Sequence, residues 1–345
     1  MERLIEGRQE QLFDARVEKL LNQMTLEEKV GQTVLGNASA EDIEVNVKLG
    51  KVSAVICDDL ELNNKLQRTA VEESRLGIPL IIGADVIHGY RTIFPIPLAE
   101  SCSWNPELLE QTAAVAAAEA ATMGVNWIYA PMVDISRDPR WGRIAEGAGE
   151  DPFLGRAIAQ ARVRGFQNAA LPGKRRIAAC PKHYAAYGFA EAGRDYNTVD
   201  ISERTLREVC LPPFKATFEA GSQTIMASFN EIGGVPSTSN GFLLKTILRQ
   251  EWKMNGVVVS DYNAIAELIN HGVAKDLREA ARLSILAGVD IDMASGAYAQ
   301  HLAELVRSGE VSMEVLDRSV RRILKLKMAL GLFEQPYTDE NLADQ

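Results

Sequence analysis

Asp261 is the residue best placed for covalent chemistry. It follows Val257-Val-Val-Ser260 directly and precedes Tyr262. A carboxylate ending a short apolar run is either held rigidly at the mouth of a site, as a nucleophile requires, or caps the next helix. Lys182-His183 follows Ala178-Ala-Cys-Pro181. The pair reads as two donors aimed at hydroxyls, or as a salt-bridged lysine beside a core histidine. A lysine there is also where the Schiff-base group of an aldolase would sit, although that reading leaves the other motifs unexplained. Asp85 ends Ile81-Ile-Gly-Ala84 and leads into His88-Gly89. It suits two vicinal hydroxyls, or it is a structural acid. Asp134 closes Trp127–Val133 and opens Ser136-Arg-Asp-Pro-Arg-Trp-Gly-Arg143. Arg143 reaches either a pocket or the nearby Glu146 and Glu150. Arg137, Asp138 and Arg140 read as a loop salt-bridge web, and Trp141 as a brace or a stacking wall. Met226, Phe229 and Asn230 end one further run, and Asp290 and Asp292 lie in the last.

A pocket of Asp, Arg, Lys and His with aromatic walls suits a neutral polyhydroxylated ligand. Charged groups read the hydroxyls and aromatic faces cover an apolar ring face. A phosphorylated ligand would call for a Gly-rich backbone cradle, and no GxGxxG is present.

These residues need elements to hold them. Eight short apolar runs recur: Val30–Leu35, Val52–Ile56, Pro79–Ala84, Trp127–Val133, Ile177–Cys180, Thr224–Phe229, Val257–Ser260 and Val289–Met293. They lack polar alternation, so they read as strands buried on both faces. Helical patterns cover 105–123, 151–167, 202–220, 240–251, 275–287 and 312–330. Asn105-Pro106 and Asp151-Pro152 mark two starts, and Thr25-Leu-Glu-Glu28 reads as a capping box. Strands alternating with helices predict an α/β fold, a single-domain (β/α)8 TIM-like barrel. In such a barrel the strand C-termini carry the chemistry, and nearly every run here ends in polar residues.

The composition fits that plan. The 345 residues are 46% apolar and 24% charged, with a formal charge of −10. Disorder and a disulfide-built miniprotein are excluded. An acidic chain argues against a nucleic-acid partner. Cys57, Cys102, Cys180 and Cys210 form no CxxC pair, so no metal or other cofactor is expected. No run approaches the roughly 20 apolar residues that cross a bilayer, and the charged N-terminus shows no signal-peptide core. A cytoplasmic protein with no membrane partner is expected, or a periplasmic or secreted one if a leader has been trimmed.

Gly83-Ala-Asp-Val-Ile-His-Gly89, Asp138-Pro-Arg-Trp-Gly-Arg143, Lys182-His183, Met226-Ala-Ser-Phe-Asn230 and Ser260-Asp261-Tyr262 together resemble glycoside hydrolase family 3, nearest its bacterial β-glucosidase branch. The resemblance runs from about residue 25 to Tyr337. It implies a (β/α)8 first domain over 25–333 and a tail over 334–345 that begins a link to a second domain, while Leu12, Val17, Leu20, Leu21 and Met24 at helical spacing mark 1–24 as a helical extension. It implies a retaining hydrolase for terminal β-D-glucosyl or related units of a β-glucoside or oligosaccharide. Asp261 matches the nucleophile and is expected to be ionised beside Lys182 and Arg143. Asp85, Arg143, Lys182 and His183 match groups that bind sugar hydroxyls, and Met226 and Tyr262 line the same subsite. Phe229 replaces a tyrosine of some relatives, so packing alone is expected of it.

A retaining hydrolase needs a second carboxylate about 5 Å from the first. In two-domain relatives it comes from the second domain. A one-domain branch uses a histidine after the Lys-His motif, but Tyr184 to Asp195 contains none. Glu191 and Asp195 are the local substitutes, each more readily read as a structural loop residue. The resemblance therefore implies self-association or a second-domain partner at the barrel mouth. The alternative is a sugar-binding or scaffold barrel with little turnover until such a partner joins it.

Overall fold

The computed structural model describes residues 2–171 and 176–342, with side chains from Phe13 onward. The chain alternates strands and helices. The strands are β1 (Val34–Asn37), β2 (Ala54–Ile56), β3 (Ile81–Ala84), β4 (Trp127–Ile128), β5 (Ala178–Ala179), β6 (Thr224–Ala227), β7 (Glu231–Ile232), β8 (Val235–Pro236), β9 (Val257–Ser260) and β10 (Asp292–Met293).

The fold is α/β with a curled parallel sheet. Six strands run in the order β10-β1-β2-β3-β4-β5, and β6 pairs with β9 in a separate parallel ladder. Single parallel bridges, Tyr184 to Ala227 and Val259 to Ile291, lie between the two sheets at their two edges. This differs from eight uninterrupted strands, and proline explains part of the difference. Pro131 and Pro181 follow β4 and β5 within three residues and cannot donate to a ladder. Pairing resumes only as the bridge between Met132 and Lys182. The strands point one face inward. Leu35, Ala54, Ile81, Trp127, Ala178, Met226, Val259 and Met293, from eight different strands, share one buried cluster. Trp127 is completely buried there and donates from Nε1 to Thr224 Oγ1 at 3.0 Å.

Local chemistry sets the helix starts. Asn105 and Asp151 cap the helices Pro106–Thr122 and Pro152–Asn168 through their side-chain oxygens, as read from the sequence. The Thr25–Glu28 capping box also forms, with bonds of 2.8 and 3.2 Å. It starts a helix over Leu26–Gln32 that takes Val30 and Gly31, so the first strand begins at Val34 rather than Val30. The continuous helix expected over 202–220 is broken by a π-helical segment at Leu206–Cys210. Pro212 and Pro213 remove two donors that the carbonyls of that turn would have used. Four α-helical segments were not evident in the sequence: Ile43–Lys48, Leu60–Arg68 with its π-helical extension, Pro97–Ser101 and Ala297–Arg307. The β7–β8 hairpin was also missed. Its turn is Gly233-Gly234, both at positive φ, a legible two-residue hairpin signal.

At the ends of the chain, helix Glu2–Gln23 packs on helix Met313–Ala329. Thr338 is buried and exchanges bonds with Asn64 at 2.9 Å each way. Among the described residues no helix is long and apolar enough to cross a membrane.

Candidate active site

The ends of β3, β5 and β9 and the segment after β4 bring Asp85, Lys182, His183, Asp261, Asp134 and Arg143 into one connected group. Asp261 follows β9 and is 8% exposed. Its Oδ1 accepts the Tyr262 backbone N–H at 2.7 Å, while its Oδ2 has no hydrogen-bond partner. Burial pushes Asp261 up to about 6, against the pull of Lys182, the Tyr262 N–H and Arg143. Burial is thus the larger influence, and the cations expected to support ionisation offset it only in part.

Lys182 is buried and donates to Asp85 Oδ1 at 2.5 Å. The Asp85 side chain is 63% exposed, so it keeps acceptor capacity facing outward. Arg143 grips Glu146 with two bonds of 2.6 and 3.0 Å, so its sequence neighbour is its partner. The guanidinium also lies 5.6 Å from the centre of the Tyr187 ring.

His183 is completely buried. Its backbone N–H and its ring Nδ1 both meet Asp134 Oδ2 at 2.9 Å. Its Nε2 stands 3.5 Å from Asp261 Oδ2, beyond a good hydrogen bond, and has no other partner. Burial, then Arg143 and Lys182, hold the His183 pKa well below its usual value, so the ring is neutral. Burial likewise pushes Asp134 up to about 7, opposed by the His183 N–H and Arg143. Asp134 was visible in the sequence only as the end of an apolar run, and its hold on His183 was not foreseen.

The aromatic wall is richer than predicted. Tyr187 packs edge-on to His183 at 5.2 Å and to Trp141 at 5.1 Å, and Tyr196 lies 4.5 Å from Phe229. Phe229 does pack as expected. Of the run Tyr184-Ala-Ala-Tyr-Gly-Phe189 only Tyr187 joins this wall, whereas Tyr184 packs on Phe214 and Trp252. Trp141 is 1% exposed and donates to Asp195 Oδ1 at 2.8 Å, so it braces the loop. Asp195 is thereby engaged with that brace. Glu191 lies in an exposed turn. Among the described residues no hydrogen bond or ion pair links either acid to Asp261.

Other candidates separate from the site. Tyr262 is 53% exposed at its rim, whereas Met226 is 2% exposed within the interior cluster. Asp138 pairs with Arg140 at 2.7 Å, and Arg137 instead lies over Phe189. His88 donates from Nδ1 to the Phe94 carbonyl at 2.8 Å and shapes the loop after β3. Gly89 is required there, at φ 114°, because a Cβ would fall 1.9 Å from the Thr92 oxygen. Asp292 accepts from Ser295 and the Tyr298 N–H at the start of the helix Ala297–Arg307. Cys57, Cys180 and Cys210 are buried free thiols and Cys102 is an exposed one. Among the described residues no cluster of His, Cys, Asp or Glu could hold a metal ion.

Residues 25–326 match the family model described as the glycosyl hydrolase family 3 N-terminal domain. A periplasmic β-glucosidase of Salmonella typhimurium is 42% identical over 94% of this chain and 43% of its own length. A putative β-xylosidase of Formosa agariphila is 36% identical over 95% of this chain and 47% of its own. The β-glucosidase of Listeria innocua in complex with gluconolactone superposes with a TM-score of 0.90 at 40% identity, over 95% of this chain and 48% of that one. The chain thus spans about half the length of the relatives it matches. Across nearly all of its own length, it belongs to glycosyl hydrolase family 3, to whose N-terminal domain it corresponds.

Proposed function

We propose that this chain carries the nucleophile and the sugar-binding side of a retaining glycosidase for terminal β-D-glucosyl or related units. The observation that carries this reading is Asp261: a buried carboxylate at a strand end, one oxygen unpartnered, with Lys182 and Arg143 nearby to hold its charge. Asp261 Oδ2 attacks the anomeric carbon and forms a glycosyl ester as the glycosidic C–O bond breaks. The departing oxygen takes a proton from an acid, and water then cleaves the ester. Asp85, Lys182, His183 and Arg143 hold the hydroxyls, and Tyr262 lines the rim. The charged groups stabilise the oxocarbenium-like transition state more than the ground state. The relatives' names, β-glucosidase and β-xylosidase, support this substrate class.

The proposed scaffold is a closed (β/α)8 barrel over residues 25–333. The shared interior cluster and the two single bridges between the sheets support closure. The general acid is proposed to come from outside the described residues, through a second domain or a partner at the mouth. Large apolar side chains stand exposed in the stretches between a strand and the first turn of the next long helix: Ile93, Trp104, Phe153 and Tyr262 at 68, 74, 80 and 53%. Exposed apolar side chains of this size suit a covering partner. Light scattering at rising concentration tests self-association, and a strictly monomeric chain argues against that form of it.

The decisive experiment is incubation with an activated 2-deoxy-2-fluoro-β-glucoside. Such a substrate needs little acid assistance. Mass spectrometry should show one covalent label on Asp261, absent from Asp261→Ala. Saturable glucose binding without any label would instead favour a sugar-binding barrel.

A further inference from the structure

One carboxylate oxygen grips His183 twice. Asp134 Oδ2 meets both the backbone N–H and the ring Nδ1 of the same residue, each at 2.9 Å. The opposite ring nitrogen, Nε2, faces Asp261 Oδ2 at 3.5 Å, and both of those atoms are buried without a partner.

We infer that Asp134 is a positioning residue that keeps the His183 proton on Nδ1, so that Nε2 faces the sugar site as a hydrogen-bond acceptor. An ionised carboxylate can only accept, and its Oδ2 already faces the ring Nδ1 at 2.9 Å, so with Asp134 ionised the proton between them belongs to the ring. The ring cannot turn away without leaving the oxygen that also holds its backbone. Tyr187, edge-on at 5.2 Å, and Phe229, at 6.5 Å, flank it as well. A second proton on the ring is opposed by burial and by the positive charges of Arg143 and Lys182. The charged groups around the ring are therefore Asp134 on one side, Asp261 on the other, and the two cations, with Asp85 behind Lys182. Burial pushes Asp134 up to about 7, so the arrangement holds above that pH.

This revises the reading of Lys182-His183 as two donors. Lys182 donates and His183 accepts. If Asp261 is the nucleophile, as proposed above, a group bound to Nε2 sits beside the attacked carbon. The sugar hydroxyl there must then act as a donor to His183. The position of the ring proton does not depend on that reading.

Nitrogen-15 NMR of the full chain tests the inference directly, because the sequence has only four histidines. His183→Gln identifies the signals. At pH 8.5 the expected pattern is a protonated Nδ1 and an unprotonated Nε2. A protonated Nε2, or a doubly protonated ring, overturns the inference on the wild-type protein alone. Asp134→Asn can turn its amide toward the ring and donate to Nδ1. It is expected to move the proton to Nε2 and to lower kcat/KM on an activated aryl β-glucoside roughly tenfold or more. An unchanged tautomer in that variant also counts against the role. Failure of the fluoroglycoside to label Asp261 would instead strike the nucleophile assignment, and the tautomer would still be read from the spectrum.

Discussion

Asp290 and Asp261 lie near opposite ends of β9 and meet opposite surroundings. Asp290 is completely buried and accepts from Ser319 Oγ, Arg322, Arg249 and the Val258 N–H, at 2.7 to 2.9 Å. Every lone pair that faces the protein has a donor. Asp261 is buried too, yet receives one backbone bond and leaves Oδ2 empty. A satisfied carboxylate holds strands and helices together. An unsatisfied one is costly to bury and marks a place where a ligand completes the bonding. The contrast separates a structural acid from a chemical one, although Asp261 ends a short apolar run and Asp290 lies inside another.

The largest expected effect breaks that contrast through activity. Asp261→Ala should lower turnover of an activated aryl β-glucoside by about 10⁴-fold or more, because no other group replaces a covalent nucleophile. Its unfolding midpoint in urea should stay equal or rise, since a poorly solvated charge is removed. Asp290→Ala should do the reverse. It leaves Arg249 and Arg322 without their buried counter-charge and should cost about 3–5 kcal/mol in urea unfolding. Equal destabilisation of the two variants would defeat the distinction.

The pH dependence sharpens it. Asp261 is held near 6, so kcat/KM should fall as pH drops through about 6. Its folded-state pKa lies above the ordinary value of about 3.9. The native state therefore binds the extra proton, and this group's contribution to stability weakens as pH rises from about 4 to 6. A urea series on Asp261→Ala should lack that component.

Lys327 offers a smaller test away from the site. It is completely buried, donates to Gln32 Oε1 at 2.9 Å, and burial lowers its pKa to about 7. Between about 7 and 10 the unfolded chain binds the proton that the native state lacks, so stability should rise with pH across that window. Lys327→Met should flatten the rise and change stability at pH 9 by about 1 kcal/mol or less. A steep rise persisting in the variant would assign it to other groups.

Much of the site was legible because its residues end apolar runs. Asp85, Lys182, His183 and Asp261 could be placed by that filter, and the family resemblance assigned them roles. Arg143 and Glu146 are three residues apart, so their pairing was also readable. Asp134 and His183 are 49 residues apart, and no local spacing could announce that one oxygen would hold the other's ring and backbone. Met226 is a different case. It shares a motif with Phe229, but strand alternation turns it into the interior.

By itself, the sequence determined the alternation of strands and helices, the caps at Thr25, Asn105 and Asp151, and the family. These rest on periodicity and on side chains that bond within a few residues of themselves. Only the tertiary structure decided which buried acids are satisfied. Asp290 finds two arginines and a serine from other elements, whereas Asp261 finds an imidazole nitrogen that offers it no hydrogen bond. Hydrogen-bond satisfaction depends on donors brought from distant positions to within about 3 Å, and composition and spacing do not contain that information.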